Sequence, residues 1–206
     1  MTLNALNELA LEVTLPVALL PLRSTQRLTL EEYYALCARS PEILSEREPD
    51  GTIIITSPVG LISGRREGRI IARLVIHAET NPGEAFSSST GFTLPDGSVR
   101  SPDASYLSAE KLAPLSEEEL KKMAAVVPDF VVEVMSDTDR HKEAATKMRE
   151  KWMANGVRLG WLIDVDNDRM WIYRADGTIE FINALDHVIT GEDAVPGFEF
   201  DLRLLT

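Results

Sequence analysis

Asp103, Glu133 and a following group of lysines are the residues of this chain best suited to do chemistry. Asp103 lies in Arg100-Ser101-Pro102-Asp103-Ala104-Ser105-Tyr106. Glu133 lies in Pro128-Asp129-Phe130-Val131-Val132-Glu133-Val134-Met135-Ser136, ahead of a helix-like segment with Lys142, Lys147 and Lys151. An acid opening one apolar strand, a second inside the next and a lysine nearby form the layout of a metal-dependent phosphodiesterase site. Such hydrolysis needs an activated water, neutralised phosphoryl charge and a stabilised leaving oxygen. One or two magnesium ions on carboxylates supply much of this, and a lysine can orient the water.

Each residue also has a plainer reading. Side chains alternate along a strand, so Asp129, Val131, Glu133 and Met135 share one face. An ionised Glu133 in that apolar run needs a cation or hydrogen-bond donors, and a structural ion pair would serve equally. Asp103 read alone is a turn residue capping local amides. Lys147 read alone is a surface salt-bridge partner of Glu143 or Glu150. Other patterns carry less. Asp164, Asp166 and Asp168 imitate a calcium loop, but Arg169 replaces its glycine and Ala175 its bidentate acid. Ser87 to Gly91 lacks the lysine of a P-loop, and Gly60 and Gly64 form no dinucleotide fingerprint. No serine sits in a nucleophile elbow. His77, His141 and His187 are scattered and suggest no zinc cluster. Trp152, Trp161 and Trp171 fit core or interface packing.

The elements that must position these residues follow from pattern. Thr29 opens a capped helix to about Ala38. Ile43–Arg47 and Thr52–Thr56 flank Pro49-Asp50-Gly51 as a hairpin. Ser63 to Glu79 has helical apolar spacing at Ile70, Ile71, Leu74, Val75 and Ala78, with Arg65, Arg66, Arg69 and Arg73 opposite. Strands are expected at 84–87, 91–94 and 98–107, and a short helix at 116–123. Phe130–Met135 reads as a central strand covered on both faces. A helix over 139–155 stops at Asn155-Gly156. Three strands follow at 159–164, 169–174 and 178–182. Interleaved helices and hairpins imply an α/β chain with a mixed sheet flanked by helices.

The 206 residues fit one domain, 27–206, behind an N-terminal arm at 1–26. Hydrophobic residues make up 44%, enough for a sizeable core. The arm is too short and interrupted for a membrane span. The lone Cys37 suits a reduced, cytoplasmic setting. The net charge of −12 argues against a broad nucleic-acid surface, although a nuclease cleft can be locally basic and hold metal.

A longer series of residues carries a family resemblance. It runs through Ser57-Pro58, Ser88-Ser89-Thr90-Gly91-Phe92-Thr93-Leu94-Pro95-Asp96-Gly97, Ser101-Pro102-Asp103 and Pro128-Asp129-Phe130-Val131-Val132-Glu133. It continues through Lys147-Met148, Asn155-Gly156-Val157-Arg158-Leu159-Gly160-Trp161-Leu162-Ile163-Asp164 and Pro196-Gly197-Phe198. Over roughly residues 27–205 this series resembles the Uma-two family, a restriction-endonuclease branch of the PD-(D/E)XK nuclease superfamily. The resemblance implies a restriction-endonuclease-like core and magnesium-dependent phosphodiester cleavage, with manganese able to substitute. It assigns metal binding and catalysis to Asp103 and Glu133. The motif lysine would fall at Met135. The resemblance moves that role to Lys147 on the following helix, with Lys151, in a run one residue longer than the family pattern, as the competing position. Glu67 on the first long helix is an ancillary acid.

Three readings follow. The first is a metal-dependent endonuclease acting on DNA, with a homodimer expected, as superfamily members often pair to cut two strands. The second is a catalytically inactive nucleic-acid-binding or regulatory protein on a nuclease scaffold, favoured by Met135 and the net charge. The third is a hydrolase of small phosphorylated or nucleotide substrates.

Overall fold

A computed structural model describes residues 21–136 and 140–206. Residues 1–20 of the expected arm lie outside the described residues, as does Asp139, the expected start of the 139–155 helix. The described chain forms two compact units, one of residues up to Pro58 with 96–100 and one of residues 59–95 with 101–206.

The first unit holds strands β1 (Leu22–Arg27), β2 (Ser45–Arg47) and β3 (Thr52–Ile55) and helix α1 (Leu30–Arg39). Thr29 caps α1 in a reciprocal box with Glu32, as the sequence pattern requires. Gly51 sits at φ 89° in the β2–β3 turn, where a Cβ would strike the Leu28 backbone, so glycine is needed there. Strand β1 pairs antiparallel with β3. Arg47 and Arg100 are buried, and each is held by specific acceptors. Arg47 donates to the Leu28 and Gly97 carbonyls, and Arg100 pairs with both Glu46 and Glu48.

The second unit carries the carboxylates. Its elements begin with α2 (Leu61–Ala78), β4 (Gly83–Ser87) and β5 (Phe92–Thr93). The expected strand over 98–107 is two strands, β6 (Val99–Arg100), which belongs to the first unit, and β7 (Ala104–Ser108). Ser101-Pro102-Asp103 separates them, because Pro102 has no N–H to give a ladder. Short helices α3 (Ala109–Leu112) and α4 (Glu117–Leu120) lead to β8 (Phe130–Val134). After α5 (His141–Lys147) come β9 (Leu159–Asp164), β10 (Arg169–Arg174), β11 (Ile179–Asn183), β12 (Val188–Thr190) and β13 (Glu199–Asp201).

The main sheet has order β11-β10-β9-β8-β7-β4. Strands β8 and β9 run parallel and their neighbours antiparallel, which makes the sheet mixed as expected. Strand β8 is covered on both faces. Phe130 and Val132 join a core with Ile70 and Leu74 of α2 and with Phe198, Phe200, Leu202 and Leu205 near the C-terminus. Val131 and Met135 join a second core with Ala145, Met148 and Trp152. The alternation of β8 thus divides two apolar layers, one under each flanking helix.

The helix after β8 changes pitch along its length. It is α-helical over His141–Lys147, π-helical over Met148–Trp152 and 3₁₀ over Met153–Asn155. Gly156 ends it in the left-handed region at φ 100°. Gly160 on β9 lets this helix approach closely, since an added Cβ would lie 2.5 Å from the Met148 sulfur.

Candidate active site

The acids reach one place through strand register. Ala104 pairs with Val132, so extending the β7–β8 ladder by one residue sets Asp103 across from Glu133. The chain has just emerged from Pro102 there, and Asp103 Oδ2 accepts a 2.6 Å bond from the Val134 N–H. That bond ties the segment carrying one acid to the strand carrying the other.

Glu133 is 8% exposed, and its carboxylate is held by the helix that covers it. Lys147 Nζ lies 2.8 Å from Oε1 and 2.9 Å from Oε2. Trp152 Nε1 donates to Oε1 at 2.7 Å. The helix therefore supplies a cation and a neutral donor to an acid that could not be buried alone. Glu67, buried on α2, completes the group electrostatically.

The charges repel one another. The Asp103 carboxyl is pushed well above its ordinary range, first by burial and next by the Glu133 charge, with Glu67 adding to the effect. Lys147 and the Val134 N–H act in the opposite direction without cancelling it. Part of the Asp103 residue remains exposed, but its carboxylate has crowded, acidic surroundings. Glu67 is also raised, by burial first and by Glu133 last, while a Ser88 hydroxyl bond pulls it down. Acids perturbed by burial and by one another mark a place where a cation would be favoured.

A divalent cation fits the chemistry of this donor set. Hard carboxylate oxygens suit magnesium, which commonly takes only one or two carboxylates and completes its shell with water. Asp103 and Glu133 are two carboxylates set across the β7–β8 pair from each other. Among the described residues no three acids, histidines or cysteines converge as a ready-made metal cage.

The structure distributes the other candidates clearly. Met135 is 6% exposed inside the apolar layer with Val131 and Met148, so the slot two residues past Glu133 is a packing position. Asp129, at the opposite end of β8, is locked by Ser108 N–H at 2.9 Å, Lys111 at 3.0 Å and Arg158 at 3.5 Å. Burial pushes its carboxyl up, but the Ser108 and Lys111 contacts outweigh that and leave it below the ordinary range. The basic face expected on α2 is only half solvated. Arg65 and Arg73 are exposed, whereas Arg66 is buried against Asp166 at 2.7 Å and Arg69 donates to the Leu204 carbonyl. Asp164 accepts from Asn167 and Arg169 within its hairpin, so its carboxylate is taken up by the turn itself.

Two contributors were not visible as site residues in the sequence. Trp152 reads as core, and it is fully buried, but its indole N–H has a charged partner. Ser88 reads as part of a polar loop, yet its hydroxyl meets Glu67. The longer spacing from Lys147 to Gly156 was the available signal for Trp152, and the π-helical turn lies within that run.

Comparison with known proteins agrees with this architecture. No curated protein sequence matches the chain. Among solved structures, the crystal structure of a putative nuclease belonging to DUF820 from Anabaena variabilis ATCC 29413 aligns with TM-score 0.68 and 20% identity. The alignment covers 86% of this chain and 97% of that one, and shows a shared fold. A family model described as "Putative restriction endonuclease" matches residues 30–203, a span that includes Glu67, Asp103, Glu133 and Lys147, and the chain belongs to that family, Uma2.

Proposed function

We propose that this protein is a divalent-metal-dependent endonuclease that hydrolyses phosphodiester bonds of DNA. The observation that carries the reading is the Lys147 ammonium at 2.8 Å from Glu133, with Asp103 across the strand pair from that acid. A lysine on a separate helix thereby serves the place that Met135 cannot.

In this reading Asp103 and Glu133 hold magnesium or manganese, with Glu67 ancillary. The bound metal supplies Lewis acidity and lowers the cost of deprotonating water. Lys147 directs a proton of its ammonium toward the attacking water or a phosphoryl oxygen while neutralising Glu133. Trp152 keeps the Glu133 carboxylate from rotating. The Val134 N–H fixes one Asp103 oxygen and leaves the other for the ligand. Two copies of the chain would be needed to cut both strands of a duplex in one encounter, so a homodimer is proposed. The setting proposed is cytoplasmic and reduced, in keeping with the single, half-buried Cys37. Among the described residues, no helix is long and apolar enough to cross a membrane.

The net charge of −12 and Met135 favour a second reading, an inactive nucleic-acid-binding or regulatory scaffold. Incubating purified protein with plasmid DNA in magnesium, manganese or EDTA separates the two. Metal-dependent nicking or linearisation supports the nuclease. DNA binding without cleavage in any metal supports the scaffold.

A further inference from the structure

The π-helical turn aims two side chains at one carboxylate. In an α-helix with 3.6 residues per turn, residues 147 and 152 would point about 140° apart. Here the Met153 N–H is shared between the Arg149 and Met148 carbonyls, four and five residues earlier, and the wider turn brings Trp152 toward the side that carries Lys147. Both then donate to Glu133, Lys147 at 2.8 Å and Trp152 at 2.7 Å. Trp152 is fully buried, so packing around its ring fixes the direction of its N–H. Met148 against Gly160 anchors the start of the same turn on β9.

We infer that Trp152 is a positioning residue for the metal-binding carboxylate and that the π turn exists to deliver it. The inference rests on the metal-site reading above. The indole fixes the carboxylate through Oε1, while Lys147 bridges both oxygens. A purely structural tryptophan would fill the same volume without any link between its N–H and Glu133. Partners that orient metal ligands in this way typically alter metal affinity or activity by about 10–100-fold when removed.

The indole N–H is a direct reporter. Three tryptophans give three indole signals in the proton–nitrogen correlation spectrum of the full chain. Trp152→Phe identifies its own signal by loss, and Trp161→Phe with Trp171→Phe identifies it by elimination if that variant does not fold. The Trp152 signal is expected well downfield, to move upfield in Glu133→Gln and to shift when Mn²⁺ or Mg²⁺ is added. Deleting Lys151, which lets the helix close with ordinary α pitch, should move it as well. Trp152→Phe should bind Mn²⁺ on the order of tenfold more weakly. A Trp152 signal indifferent to Glu133→Gln, or to the metal, would overturn the inference. A signal that responds to both, in a protein that cuts no nucleic acid, would uphold the positioning role while the nuclease reading failed.

Discussion

Lys147 and Glu133 meet at 2.8 Å although one sits on a helix and the other inside a sheet strand. The lysine is about one-third exposed and the glutamate nearly buried, so the pair opens to solvent from the lysine side. That places a cation where water and a phosphate could approach while its partner stays fixed. Lys147→Met should lower the single-turnover cleavage rate by about 10²–10³, comparable to losing one preorganised electrostatic donor. It should cost only about 1–2 kcal/mol of stability, because the exposed side of the pair is screened. Quench-flow cleavage assays alongside urea titrations would check both numbers.

Asp103 should be a site of conflict between stability and activity. Its carboxylate is forced upward by burial and by Glu133. Asp103→Asn removes the repulsion and still offers an oxygen to the Val134 N–H. The metal-free protein should gain about 2–4 °C in melting temperature for each ~1 kcal/mol relieved, while cleavage is lost. Magnesium at a hundred times its dissociation constant should stabilise the wild-type chain by about 2.7 kcal/mol and leave the variant unchanged. Differential scanning calorimetry with and without metal measures both effects.

The same charges fix a pH dependence. Asp103 and Glu67 have raised folded-state values, so each favours the fold fully below the unfolded carboxylate range near ~4. That contribution is lost as pH rises through the raised values. Metal competes with the protons. Cleavage at limiting magnesium should therefore rise with pH above the ordinary carboxylate range, and more magnesium should move that limb toward lower pH. A limb unmoved by magnesium would contradict the assignment. Asp129 behaves oppositely, since its lowered value gives stability that is present above ~4 and lost as pH falls through it.

Asp129 and Glu133 stand on one strand face but should separate by experiment. Asp129→Ala strips the partner from Lys111 and Arg158 and leaves the Ser108 N–H unsatisfied. A loss of about 2–4 kcal/mol is expected, given that both cations are partly exposed. Mn²⁺ affinity, read by titration calorimetry on the folded fraction, should stay within about twofold, whereas the Glu133→Gln change should weaken it by about tenfold or more.

Much of this arrangement is legible in the sequence, for identifiable reasons. Glu133 stands out because a single acid interrupts an apolar run, and Pro102 marks the break that frees Asp103. The meeting of those acids depends on β7–β8 register, a non-local property that neither segment encodes alone. Lys147 and Lys151 could not be separated by spacing, because a π turn begins directly after Lys147, contains Lys151 and changes the angular step along the helix. Arg66 and Arg69 fall opposite the apolar spacing of α2, where a helical wheel shows no partner for them. Asp166 and the C-terminal segment come from far along the chain to engage them. Trp152 was legible as core, and its indole donor only becomes visible once Glu133 is seen beneath it.

The most direct test is plasmid cleavage by wild-type, Glu133→Gln and Lys147→Met proteins, each shown to be folded, in magnesium and in EDTA. The account predicts cutting by the wild-type chain in magnesium alone and its loss in both variants. Cutting that persists in Glu133→Gln, or a well-folded wild-type chain that cuts nothing in magnesium or manganese, would contradict it.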